Sequence, residues 1–498
     1  MCSNILSMKN FLSRNKLILL IIALFVFLRI PSLFEGFWYP DEGFYAAQAE
    51  AILKGKELYL GAWDHKPPMM VWIYTIAGVF DWDIGYVLVK LMNISAGVFS
   101  IIVFEKLLSR VGIKYKLRNM VLIVFAIFLG SPLLEGNLAN SEVFYIPATL
   151  SILYLSLFNK RPYFVGLLLS YTFLIKPQAF VESIAIISLV AIFDLWKKRK
   201  KFDFKYYFKI FLTYLLIVGA YFLYLLLRGT FDDFVDATFL TNFRYVELEE
   251  DANYWNVVKI AGSAIIFFYA LIKLHKNQVS RTVFVVILTL VVDITLVTLS
   301  GRPYMHYLIQ LLPISLLSLG IYLQSKPSTK LQLVELILGF LLLVTFLFSK
   351  GFNFPIVDRE RFDGHIRYYT DFPQYLLFGK RDGHSWFWKE HNYFQPRKDL
   401  IKHFENNYEG VDYYYYGDDP WIFTQLSGNF VNKYLVWYHL IYSDDKMQEA
   451  VQLRDEALVM IVDEDSDLFL EEFFESADNF TFSEKVHNYS IYINNEKG

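Results

Sequence analysis

Apolar residues in this chain do not alternate with polar ones; they run together in long blocks. Residues 17–34, 84–106, 118–134, 141–159, 162–177, 178–196, 206–228, 257–274, 282–300, 304–323 and 331–349 are each nearly uninterrupted apolar sequence. A helix needs roughly 17–25 such residues to cross a bilayer, so the pattern predicts eleven spans. The first block follows Lys9, Arg14 and Lys16 and carries no small-x-small cleavage pattern. It therefore reads as a retained helix rather than a cleaved signal.

The polar segments between the blocks fall into two kinds. Lys106, Arg110, Lys114, Lys116 and Arg118 share one loop, and Lys160 with Arg161 fill another. Lys197 to Lys201, then Lys273, Lys276 and Arg281, then Lys326 and Lys330 make three more. These are every second loop, and the loops between them are acidic or neutral, with Asp41, Glu42 and Asp64, with Glu135 and Glu142, and with Asp232 through Asp251. Basic loops stay in the cytoplasm. The expected protein is a multi-pass protein of the inner (cytoplasmic) membrane, with its N-terminus inside and its tail outside.

Two segments break the pattern. The outer loop 35–83 has helix signals of its own. Pro40-Asp41 opens one helix with Asp41 placed as its cap, Gly55 stops it, and a second short helix runs from Lys66-Pro67-Pro68 to about Phe80. After residue 350 charges rise and apolar runs shorten. Val411–Tyr416, Ala457–Val462 and Phe480–Ile493 read as strands, with helices at 398–406 and 446–454. The expectation is an α-helical polytopic membrane domain, 1–350, plus a small extracytoplasmic α/β domain, 351–498.

Composition narrows the function. Hydrophobic residues are 55 % of the 498 and charged residues 19 %, too few charges to cover a soluble surface. A net charge of −3 argues against a nucleic-acid partner. The single cysteine, Cys2, excludes an intrachain disulfide or a Cys-based metal site. Aromatics at 18 % suit both interfacial belts and sugar-binding surfaces.

Candidate chemistry collects at the outer ends of the spans. Tyr39-Pro40-Asp41-Glu42-Gly43-Phe44-Tyr45 is followed by Asp64-His65-Lys66-Pro67-Pro68. Asn137, Asn140 and Glu142 open the fourth span, Lys176-Pro177-Gln178-Ala179 separates the fifth from the sixth, and Lys90 and Asn93 sit in the outer half of the second. Gly301-Arg302-Pro303-Tyr304-Met305-His306-Tyr307 opens the tenth. Each has a plain explanation, such as helix capping or a lysine reaching toward water. Together they put both charge signs on one face, in five segments, which suits an anionic substrate and a deprotonation. Asp81-Trp82-Asp83 lies on the side where nucleotide sugars are absent and reads as a loop. Asp463, Asp465 and Asp467 open like a calcium loop but lack its glycine and closing glutamate.

The series Asp-Glu, Lys-Pro-Pro, Asn-x-x-Asn-x-Glu, Lys-Pro-Gln-Ala and Gly-Arg-x-x-x-His-Tyr, over roughly residues 15–325, resembles the GT-C membrane glycosyltransferases. It is most similar to the branch of the protein O-mannosyltransferases, aminoarabinose transferases and Rgt galacturonosyltransferases, the PMT-like superfamily. The tail, with Tyr-Gly-Asp-Asp-Pro at 416–420, resembles the external domain of that branch. The resemblance implies a polyprenyl-phosphate sugar donor, and a lipid, glycan or protein acceptor whose hydroxyl is glycosylated with inversion. A phosphate leaving group needs cations more than an acid, whereas the acceptor hydroxyl needs a base. On that division Asp41 is the expected base, with Glu42 its adjacent partner. Lys66 and Arg302, then Lys90 and Lys176, are the expected phosphate ligands. Tyr45, Asn140, Glu142 and His306 would hold substrate. No cofactor is certain; a divalent metal stays open, with His65, Glu142 and His306 as candidate ligands. His65 departs from the glutamate that aminoarabinose transferases place there, which changes the ligand type. The competing classes are a transporter or flippase of lipid-linked sugars, for which Asp293 is the one strong mid-membrane candidate, and a receptor-like binding protein built around the tail.

Overall fold

The computed structural model describes residues 2–197, 202–242, 252–276, 278–299, 304–325, 359–378, 395–442, 444–466, 473–474 and 477–497. Helices occupy ten of the eleven predicted spans: α1 (Cys2–Arg29, extended by a 3-10 turn to Phe34), α4 (Trp82–Val111), α5 (Tyr115–Gly130), α6 (Ser141–Phe158), α7 (Pro162–Ile175), α8 (Pro177–Lys197), α9 (Phe204–Arg228), α10 (Ala252–His275), α11 (Arg281–Leu299) and α12 (Tyr307–Ser325). The eleventh, 331–349, lies outside the described residues. Among the described residues six helices are long and apolar enough to cross a membrane, and shorter apolar helices cover Pro162–Ile175 and Ala264–Lys273. Exposed Phe211, Leu215, Leu216 and Leu227 on α9 would find no favourable place in water. The protein is a membrane protein.

By its internal contacts the chain divides into two compact units. The first comprises Met1–Leu33, Lys90–Tyr221 and Val246–Phe362. In it α1 packs on α5, α6 on α7 and α8, and α11 on α8, α10 and α12. Pro177 explains the break between α7 and α8. A residue before proline is driven from the helical region, and Lys176 is extended at φ −162°, ψ 134°.

The second unit comprises Phe34–Val89, Phe222–Tyr245 and Asp363–Gly498. It contains α2 (Pro40–Leu53), α3 (Met69–Gly78), most of α13 (Arg359–Phe378), α14 (Gln395–Asn407) and α15 (Asp444–Glu456). Its sheet runs β2-β1-β3-β5-β4, with β1 (Asp412–Tyr416) parallel to β2 (Asn429–Phe430) and to β3 (Val459–Asp463). β5 (Tyr489–Asn494) is antiparallel to β3 and to the edge strand β4 (Phe480–Val486). Tyr413 to Tyr416 and all of β3 are buried, as expected of strands covered on both faces. The Asn432 side chain continues the ladder beyond β2, accepting from Tyr415 N at 2.9 Å and donating to Tyr415 O at 2.8 Å. The three strand runs and two helices read from the tail sequence are therefore present, the last run as a hairpin.

The outer loop and the tail share one core. Phe44, Ala47 and Ala51 of α2 and Ala62 pack with Leu400, Phe404, Tyr413, Tyr415, Ile422, Phe423, Val459 and Ile491. Trp421 is buried against α2, its indole N–H donating to Tyr39 O at 3.1 Å and its ring 4.7 Å from that of Phe37. A Cβ on Gly43 would stand 2.6 Å from the indole, so the approach requires glycine. Two expectations for this loop change. The helix begins at Pro40 with Tyr39 as its N-cap, so Asp41 is its second residue and not the cap, and its side chain is committed to Lys66. The second helix begins at Met69, because two successive prolines delay it. Gly55, at φ 87°, does stop α2.

Replacing Gly43 by alanine would ordinarily favour a helix by about 1 kcal/mol. Here it should destabilise the protein by roughly 1–3 kcal/mol through overpacking against Trp421, read as a lower melting temperature in detergent. An unchanged or raised melting temperature would show that the indole is not wedged against this residue.

Candidate functional site

In the second unit Lys66 Nζ lies 3.0 Å from Asp41 Oδ1. The ammonium is also 4.7 Å from the Tyr45 ring centre and 5.6 Å from that of Phe44. Burial works against its charge, but the Asp41 carboxylate foremost outweighs this, and Lys66 is held well above the ordinary lysine value. The pair stays about a quarter to a third exposed, so it is reachable from outside. Glu42, the next residue, points elsewhere: it is fully buried and accepts from Tyr86 OH at 2.8 Å. Adjacent helical residues project about 100° apart, which is why the two carboxylates part.

Beneath Lys66 lies a third acid. Asp64 is fully buried; its Oδ1 accepts the Lys66 backbone N–H at 3.0 Å, while its Oδ2 has no hydrogen-bond partner. Burial pushes its carboxyl up to about 7, against the pull of Lys66. His65 Nδ1 is 3.6 Å from the same Oδ1, and its backbone carbonyl accepts from Asn242 at 2.7 Å. The buried His439 ring packs against Trp63, Phe44 and His65 at 4.8, 5.0 and 5.7 Å. Burial first, then the charges of His65, Lys66 and Lys446, push it well below the usual histidine value.

In the first unit Glu142, on the first turn of α6, is buried and ion-paired with Lys176. The Lys176 ammonium stands 4.6 Å over the Tyr307 ring. Asn140 is the N-cap of α6, but its carboxamide caps nothing: both its oxygen and its nitrogen are buried without a hydrogen-bond partner. His306 Nδ1 is 2.6 Å from Glu135 Oε2, and Glu135 sits in the left-handed region at φ 57°. Lys90 is fully buried and donates to Asn137 O at 3.3 Å. Arg302 lies outside the described residues.

Thus Asp41, Tyr45 and Lys66 meet in the second unit, with His65 beside Asp64. Glu142 and Lys176 meet in the first, where His306 also acts on Glu142 electrostatically. Among the described residues no three His, Cys, Asp or Glu side chains are grouped to hold a metal ion. Sequence reading missed Glu182. It is buried on α8 and accepts from Gln310 Nε2 at 3.2 Å, and Gln310 Oε1 accepts from Tyr145 OH at 3.0 Å. Asp293 of α11 is fully buried beside it. An acid within an apolar run was the available signal.

No family model and no curated protein sequence matches the chain. Among solved structures it is similar to ArnT from Cupriavidus metallidurans. The crystal structure bound to undecaprenyl phosphate gives a TM-score of 0.55 at 11 % identity, covering 96 % of this chain and 98 % of that one. The apo crystal structure gives 0.52 at 12 % identity, covering 97 % and 98 %. At such identities the likeness is one of fold: a polytopic helical membrane protein of GT-C type with a small C-terminal α/β domain.

Proposed function

We propose that the chain is a membrane glycosyltransferase. It would move a sugar from a polyprenyl-phosphate donor to a hydroxyl of a lipid, glycan or protein acceptor, with inversion, on the outer face of the cytoplasmic membrane. The observation that carries this reading is the reachable Asp41–Lys66 pair at the start of α2. It joins a base to a phosphate ligand in one contact. The fold likeness to ArnT, one structure of which holds undecaprenyl phosphate, supports the same donor class.

In this reading Lys66 has two anionic partners in turn. Without substrate it holds Asp41; a donor phosphate would draw the ammonium away and release Asp41 to accept the acceptor's proton. Arg302, Lys90 and Lys176 would add positive charge for the leaving phosphate. Asn140, with both amide atoms buried and unsatisfied, suits a sugar hydroxyl that donates and accepts. Glu142, His306 and Tyr45 would complete the substrate contacts, and Glu42, tied to Tyr86, would hold the helix start. No step depends on a metal. Asp293, Glu182 and Gln310 are what a flippase reading would build on. The two readings part on whether labelled sugar becomes covalently attached to an acceptor or only changes leaflet.

The test begins with membranes containing the protein and a panel of radiolabelled polyprenyl-phosphate sugars. One of them should serve as donor, and failure of all would remove the donor class. With that donor, Asp41→Asn should leave a folded protein that binds donor but has lost at least about a hundredfold in transfer rate. Near-normal transfer would end the assignment of Asp41.

Asp64 generates a pH prediction. Its carboxyl titrates near 7 when folded against an ordinary 3.8, so between those values the folded protein holds a proton that the unfolded chain has lost. Stability should therefore fall as pH rises from about 4 to about 7 and level off above. Asp64→Asn, neutral throughout, should gain melting temperature relative to wild type across that window. Parallel melting curves from pH 5 to pH 8 would show that Asp64 does not carry the raised value.

A further inference from the structure

The second unit contains the ends of three candidate spans: Phe34, residues 82–89 and residues 222–228. It therefore carries bilayer-facing surface of its own, and Ile84, Leu223 and Leu226 are exposed there. Against this surface α13 is unusual. Most of its described length is polar or half-buried, but it ends in Leu376, Leu377 and Phe378, which are 54, 70 and 69 % exposed. Leu376 and Leu377, both more than half exposed, would be unfavourable in water.

The position of α13 says what covers them. Tyr368 is buried and its hydroxyl donates to Glu35 Oε1 at 2.6 Å. The Phe372 ring lies 5.2 Å from that of Phe34, and Phe34 is the last residue of the span Lys16–Phe34. The helix is thus docked on Phe34 and Glu35, the residues at which the first candidate span ends. From Phe372 to Phe378 is six residues, about 9 Å of helix, comparable with the roughly 5–7 Å of interfacial zone on one side of a bilayer. Pro373 removes a backbone donor just before the last turn and lets it bend. Exposed Arg367, two turns back, suits headgroups or water.

We propose that the Leu376-Leu377 tip of α13 is a membrane anchor, seated among lipids at the headgroup–acyl boundary of the leaflet where the first span ends. Its occupant is lipid, and the tail is held at the membrane surface by it as well as by the core shared with α2. This rests on the chain being a membrane protein and is independent of the chemistry proposed above.

The lone cysteine makes the test direct. In the full-length protein, Cys2→Ser removes it, and Leu377→Cys or Gln374→Cys, both at exposed positions, accepts an environment-sensitive fluorophore. Each labelled protein is reconstituted into phosphatidylcholine–phosphatidylglycerol vesicles with or without lipids spin-labelled near the headgroup. The label at Leu377→Cys should be blue-shifted and quenched by spin-labelled lipid at least about twofold more than that at Gln374→Cys. Equal emission and quenching at the two positions would overturn the anchor. A blue-shifted label that spin-labelled lipid does not quench would overturn it too, assigning the tip to a protein contact.

Discussion

The second unit depends on the fit of Trp421 against the bare backbone of Gly43. The indole reaches α2 only because no Cβ stands in its way, and it then bonds the Tyr39 carbonyl just ahead of Asp41. Arg397 reinforces the same place, pairing with Asp419 at 2.6 Å and donating to Phe37 O at 2.6 Å. The tail thus grips the chain on the N-terminal side of the proposed base. A helix start can be aimed by what holds its entering strand, and here that hold comes from 382 residues away. Although its own residues would not react, the tail would set where Asp41 points.

The electrostatics of this region follow from one cation serving several acids. Lys66 is bonded to Asp41 by its side chain and to Asp64 by its backbone. Were both acids ionised, one ammonium would have to offset two carboxylates in a largely dehydrated place. Burial settles the competition by leaving Asp64 protonated up to about neutral pH, so Asp41 keeps Lys66 to itself. Glu42 is removed by geometry, turned to Tyr86 on another side of the helix. Three carboxylates within 25 residues therefore have three different fates, set by depth and direction rather than by sequence position.

Much of this was legible from the sequence. Spans are legible because their signal is local: a membrane-crossing helix must satisfy its own backbone and show apolar side chains for some twenty residues, as six of the described helices do. The strands of the tail were legible for the same reason. That Asp41 pairs with a cation instead of capping α2 was not, because capping and ion pairing use the same residue type at nearly the same place, and its partner Lys66 lies 25 residues away. The core shared between α2 and the tail left little trace either. Phe44, Ala47 and Ala51 recur at helical spacing, and nothing local says that strands some 370 residues later would cover them. Glu182 was passed over because its run remains apolar enough to span with one acid in it.

The burial of α2 explains why such a helix needs so much around it. It has 14 residues, of which nine from Glu42 to Ala51 are buried, on every face rather than along one stripe. A helix this short is marginal alone, and its hydrophobic pattern has no single direction to turn inward. It persists because α3 packs on one side and the Trp421 turn and tail core on another. The consequence for chemistry is rigidity. Asp41 stands partly exposed at the start of a helix whose middle is enclosed, so in the proposed reading its carboxylate would meet solvent and substrate while packing holds the helix that carries it. A proton acceptor gains from being placed before the substrate arrives, and burying the middle of the helix while leaving Asp41 partly exposed is a way to achieve that placement.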